Sequence, residues 1–98
     1  MVKRLKHDKY VEHLCDKIRP AYDQLLTNVP LYSKKGKRRI AEIDILAIRD
    51  DEFDVYEVKC SYRVTKAKKQ LHRIRRIMPD INSMFFFCGE SSLLENVM

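Results

Sequence analysis

Residues 40–61 read IAEIDILAIRDDEFDVYEVKCS. Two runs rich in Ile, Val, Phe and Tyr, about 40–48 and 53–60, flank the acidic triplet Asp50, Asp51 and Glu52. Branched and aromatic side chains suit a pleated, half-buried surface, and a short polar run between two such segments reads as a turn. The stretch therefore predicts an antiparallel β-hairpin.

Side chains alternate between the two faces of a strand. Glu42, Asp44, Leu46 and Ile48 then share one face of the first strand, and Ile43, Ile45 and Ala47 the other. Asp44 has apolar flanks on both sides, where a carboxylate loses strand propensity and is stripped of water. In the second strand Glu57 and Lys59 share a face with Val55, with Tyr56 and Val58 opposite. Counted from the turn, Asp44 and Glu57 stand at comparable distances, so they can sit across from each other.

Adjacent carboxylates repel unless a cation lies between them. Mg2+ accepts one or two protein carboxylates while keeping waters and phosphate oxygens, so Asp44 and Glu57 are read as its ligands, with the Val58 carbonyl as a further oxygen donor and Mn2+ expected to substitute. Lys59 would then orient an attacking water and stabilise the charge growing on a phosphorus centre. The competing reading is a structural cross-strand ion pair on an exposed face.

Outward from the hairpin, Val11, Leu14, Cys15 and Ile18 recur at helical spacing, and Tyr22, Leu25 and Leu26 extend the same stripe beyond Pro20. One kinked helix or two in tandem are predicted. Val29 to Tyr32 reads as a short first strand before the turn SKKGKRR, with Gly36 its flexible point. After Ser61, Val64, Ala67, Leu71, Ile74 and Met78 predict a helix, stopped by Pro79. SMFFFCG (83–89) reads as a strand buried on both faces, and the tail SSLLENVM as a short helix or a frayed end. The order is helix, three strands, helix, strand: an α/β domain with a mixed sheet, spanning 1–98 as one unit.

The 98 residues carry 20 Lys and Arg against 14 acidic residues, a formal net charge of +6 that favours a polyanionic partner. Two clusters concentrate it. Lys34, Lys35, Lys37, Arg38 and Arg39 lie in the turn, and Lys66, Lys68, Lys69, Arg73, Arg75 and Arg76 on the second helix. Of these, Lys34, Lys35, Lys37, Arg38, Arg39, Lys66, Lys69 and Arg73 are the candidate phosphate contacts. Cys15, Cys60 and Cys88 lack CxxC spacing and leave an odd thiol, while His7, His13 and His72 show no HExxH pattern. Zinc is not expected, and the histidines read as ordinary helix-surface residues. With no apolar span or leader pattern, an intracellular, cytoplasmic protein without membrane contact is expected.

The residues Asp44 in EIDILAI and Glu57, Val58 and Lys59 in YEVKCS resemble the motif of the PD-(D/E)XK nuclease superfamily, which includes type II restriction enzymes, lambda exonuclease and archaeal Holliday-junction resolvases. Ile43 stands where the motif's name has proline. The resemblance extends over almost the whole chain, because the superfamily's αβββαβ restriction-endonuclease-like core has the order read above. It implies Mg2+-dependent hydrolysis of DNA, with Glu12 of the first helix (Asp8 its competitor) and Gln70 of the second as further catalytic residues. An endonuclease is expected over an exonuclease, selective for branched or ended structures because so small a chain has little material for reading sequence. A homodimer like that of the archaeal resolvases would allow two strands to be cut. The alternatives are a nucleic-acid-binding module of the same fold that cuts nothing, and RNA as substrate.

Overall fold

The structure is a computed structural model describing residues 2–97. The hairpin is its centre: β2 (Arg39–Arg49) and β3 (Glu52–Lys59) run antiparallel, with Arg49 paired to Glu52. Asp50 and Asp51 alone make the turn, at φ 50° and 65°. Two residues in left-handed conformation match the twist of the flanking strands, and aspartate tolerates that region better than most side chains. The Asp50 N–H also donates to Asp23 Oδ2 at 3.0 Å.

α1 (Val2–Ile18) buries Val11, Leu14 and Cys15 as its spacing predicts, but it ends at Ile18. A 3-10 turn, Arg19–Ala21, carries Pro20 in its first turn, and Tyr22 is already extended. The stripe expected to continue helically through Tyr22, Leu25 and Leu26 is instead carried into a strand, β1 (Gln24–Tyr32), whose Gln24 to Thr27 pair with Ile48 to Ile45. Leu25 still packs on the α1 cluster, from a strand rather than a helix. Pairing with β2 thus outweighs an apolar spacing that fits both forms. Pro30 lies inside β1, tolerated because β1 is an edge strand. The connecting turn closes with the Ser33 N–H donating to Arg38 O at 2.7 Å, and Gly36 takes the left-handed φ of 71°.

α2 (Val64–Ile77) buries Ala67, Leu71 and Ile74 and crosses over to β4 (Ser83–Cys88), parallel to β3. The tail is neither helical nor frayed: β5 (Leu93–Asn96) pairs antiparallel with β4 after a turn in which Ser92 has φ 58°. The open edge of β4 supplies hydrogen bonds to a segment too short to sustain a helix alone. The mixed sheet has the order β1-β2-β3-β4-β5.

The two helices cover opposite faces. Tyr56, Val58, Phe87 and half-buried Phe85 pack with Val11, Leu14 and Cys15 of α1. Val55 and Met84 pack with Leu71 and Ile74 of α2, and Phe86 with Ala67. The triple phenylalanine is thus covered on both faces. Gly89 seats α1, since a Cβ there would lie 2.2 Å from a ring carbon of Tyr10. That close approach brings the N-terminal half of α1 to the C-terminal end of β3.

Candidate active site

The β2–β3 ladder runs from the turn to Ile45–Tyr56 and stops. The next step of the register would pair Asp44 with Glu57, and there the strands are bridged by side chains instead. The Val58 N–H donates to Asp44 Oδ2 at 2.8 Å, and the Val58 carbonyl accepts from His7 Nε2 at 2.9 Å. Because a carbonyl can only accept, the proton lies on Nε2, which is also 3.4 Å from Asp44 Oδ2.

The break has a local cause. In the β1–β2 register Thr27 faces Ile45 and Val29 faces Ile43, so Asn28 faces Asp44, and Asn28 has φ 53°. On either side of this pair the packing changes: Leu25, Ile45 and Ala47 join the α1 cluster, whereas Val29, Leu31 and Ile43 join the α2 cluster. The simple alternation predicted for residues 42–48 therefore holds only beyond Asp44. Asp44 sits where the hairpin twists over, and its carboxylate points into the gap between β2 and β3.

Asp44 is 6% exposed and Glu57 2%. Glu57 Oε2 lies 3.2 Å from Lys59 Nζ, which donates to Gln70 Oε1 of α2 at 2.5 Å. Glu57 Oε1, equally buried, has no hydrogen-bond partner among the described residues. Burial first, and the Asp44 charge second, push the Glu57 carboxyl up to about 8, against the opposing pull of Lys59 and His7. His7 is raised as well, chiefly by its bond to Asp44, with desolvation opposing.

Above this floor lies an open cavity of about 550 Å³, lined by His7 and Asp8 of α1, Asn28 of β1, Arg39 and Glu42 of β2, and residues 58–61 and Arg63 beyond. Arg39 forms an ion pair with Glu42. Arg39 also lines an adjoining hollow with Arg38, Ile40 and Arg73, where the turn cluster meets the α2 cluster. Lys34, Lys35, Lys37, Lys66 and Lys69 are exposed and line neither.

The structure thus brings together Asp44, Glu57, Val58, Lys59 and Gln70, with Arg39 lining the cavity and Arg38 and Arg73 in the hollow that Arg39 shares. The Val58 carbonyl, expected as a free oxygen donor, is engaged by His7. Glu12 is exposed and lines a different hollow with Cys15, Arg19 and Leu25, so α1 supplies His7 and Asp8 to the cavity rather than Glu12. His7, read as a surface residue, carried a usable signal: it stands four residues before Val11, one turn back along the buried stripe. Arg63 and Asn28 also escaped the sequence reading. Asparagine's tolerance of left-handed backbone was the only hint of the second.

A scan of protein-family models and a search of curated proteins match nothing to this chain. Among the described residues no three His, Cys, Asp or Glu side chains form a ready metal cage. Two buried carboxylates with one oxygen unpartnered nevertheless fit a hard cation that keeps most of its waters. No helix among the described residues is long and apolar enough to cross a membrane.

Proposed function

We propose that this chain is a Mg2+-dependent nuclease of the PD-(D/E)XK type that hydrolyses phosphodiester bonds in DNA, as a structure-selective endonuclease. The observation that carries this reading is Glu57: a carboxylate 2% exposed, one oxygen paired with Lys59 and the other without a hydrogen-bond partner among the described residues, beside a second buried carboxylate. A fold stabilised by its polar groups does not leave such an atom idle without cause. The helix, three strands, helix, strand order, followed by β5, supports the same reading.

Asp44 and Glu57 would hold the ion, with Mn2+ substituting. A bound dication would lower the pKa of an attacking water and screen the phosphate. Lys59 Nζ, fixed between Glu57 and Gln70, orients that water and stabilises the negative charge that develops on the phosphoryl oxygens. Gln70 positions the lysine, and His7 holds Asp44 and the β3 backbone in place. Arg39 and Arg63 at the rim draw the phosphate backbone over the floor. Two copies acting as a homodimer would cut both strands. The free thiols Cys15, Cys60 and Cys88 suit a reducing compartment such as the cytoplasm.

Supercoiled, branched and linear DNA incubated with Mg2+ or Mn2+, and then with chelator, tests the activity. Cleavage should require the metal and fall about a hundredfold or more in Asp44→Ala. Cleavage that survives Asp44→Ala removes the residue assignment. DNA binding with no cleavage of any substrate leaves a binding module instead.

A further inference from the structure

Four of the five tyrosines have evident structural work. Tyr10 covers Gly89; Tyr22 and Tyr56 bond each other at 2.7 Å, and Tyr22 donates to Asp54; Tyr62 donates to Glu95 and packs edge-on against Phe86. Tyr32 is 52% exposed and makes no hydrogen bond or ring contact among the described residues. Its position is set by an irregularity. The ladder steps from Leu31–Ala41 to Tyr32–Arg39, so Ile40 is an extra residue on β2 and Tyr32 is brought directly across from Arg39.

Directly paired residues project from the same face, with side-chain roots about 5 Å apart. Arg39 lines the cavity that holds Lys59, and also the hollow shared with Arg38 and Arg73. An open aromatic side chain is thus rooted across the strand pair from an arginine that lines the cavity, one contact for a base and one for its phosphate. The Arg39–Glu42 pair is exposed and contributes little, so a phosphate can take its place. Within a duplex both faces of each base are covered by neighbouring pairs, so an exposed ring can accept only an unpaired base.

We infer that Tyr32 is a stacking platform for an unpaired nucleobase whose phosphate is held by Arg39. Taken with the nuclease reading, on which this depends for the position of the cut, the substrate is DNA with a single-stranded segment beside the scissile bond.

The test is fluorescence anisotropy in chelator, using a labelled single strand of about 15 nucleotides and a blunt hairpin duplex of the same composition. Tyr32→Ala should weaken single-strand binding about tenfold while changing duplex binding less than about twofold, and Tyr32→Phe should bind both like wild type. An unchanged melting temperature for both variants shows that the exposed site, not the fold, was altered. The inference is overturned if wild type ignores the single strand, if Tyr32→Ala binds it normally or loses both DNAs equally, or if Tyr32→Phe falls as far as Tyr32→Ala. Because no metal is present, this outcome is separate from the Asp44→Ala cleavage assay. A chain that cuts but is indifferent to Tyr32 loses only the platform; one that stacks single strands but never cuts loses only the nuclease.

Discussion

β3 buries two carboxylates three residues apart, and they are treated in opposite ways. Asp54, 6% exposed, accepts from Tyr22 Oη at 2.6 Å, Asn82 Nδ2 at 3.2 Å and the Ser83 N–H at 3.1 Å. Glu57, still more buried, has one lysine at 3.2 Å and an oxygen with no hydrogen-bond partner among the described residues. A cluster of donors around Asp54 ties the 3-10 turn, β3 and the start of β4 together. The Glu57 end is left short of donors and abundant in charge. A buried acid that is fully bonded supports the fold; one that is not is, on the nuclease reading proposed above, the group that binds.

The two carboxylates should differ most in activity. Glu57→Gln should reduce metal-dependent cleavage by about a hundredfold or more, whereas Asp54→Asn should leave the turnover of the folded fraction within a few-fold, measured on the same DNA. Equal losses in both would mean that Glu57 has no special part in chemistry.

Stability should follow the reverse order. Asp54→Ala deprives Tyr22, Asn82 and the Ser83 N–H of their acceptor at once. Unfolding in urea should show a loss of about 3 kcal/mol, with melting lowered by about 10 °C or more.

Glu57→Gln, in contrast, should stabilise the protein, and increasingly so with pH. The Glu57 carboxyl is raised from 4.5 to about 8, so between these values the folded chain keeps a proton that the unfolded chain has lost. Wild-type stability therefore declines as pH rises through that window, while glutamine has no proton to lose. The gain should be near nothing at about pH 4 and on the order of 2 kcal/mol at about pH 9, read from urea midpoints. A flat difference across pH would contradict the burial argument for Glu57.

The smallest expected effect belongs to His7, whose raised pKa gives stability that is full below 6.5 and is lost as pH rises through the folded value. His7→Ala should cost about 1 kcal/mol at about pH 6 and less at about pH 8.

The regions that were legible in the sequence are those where one pattern had one interpretation. Residues 40–48 and 53–60 are dense in Ile, Val, Phe and Tyr around a short acidic turn, and Val64 to Met78 place their apolar residues too far apart for a strand. Asp44, Glu57 and Lys59 stood out because charge interrupts apolar strands. Leu25 misled because a stripe continuing a helix and a strand feeding the same cluster bury the same residue, whereas the strand turns Leu26 to the exposed face. β5 was invisible because its order comes from the β4 edge rather than from its own side chains. His7 was missed for a related reason: its role is fixed by a backbone carbonyl 51 positions away, which no local spacing reveals.

Pro30 has a consequence of its own. The sheet has two outer rims, and a long flat rim with free amide hydrogens is a template on which further chains assemble into fibres. Here one rim carries an imino acid third from its end and the other is a strand of only four residues. Replacing Pro30 with valine would supply the missing donor, and would be expected to trade solubility during long storage for a more continuous rim.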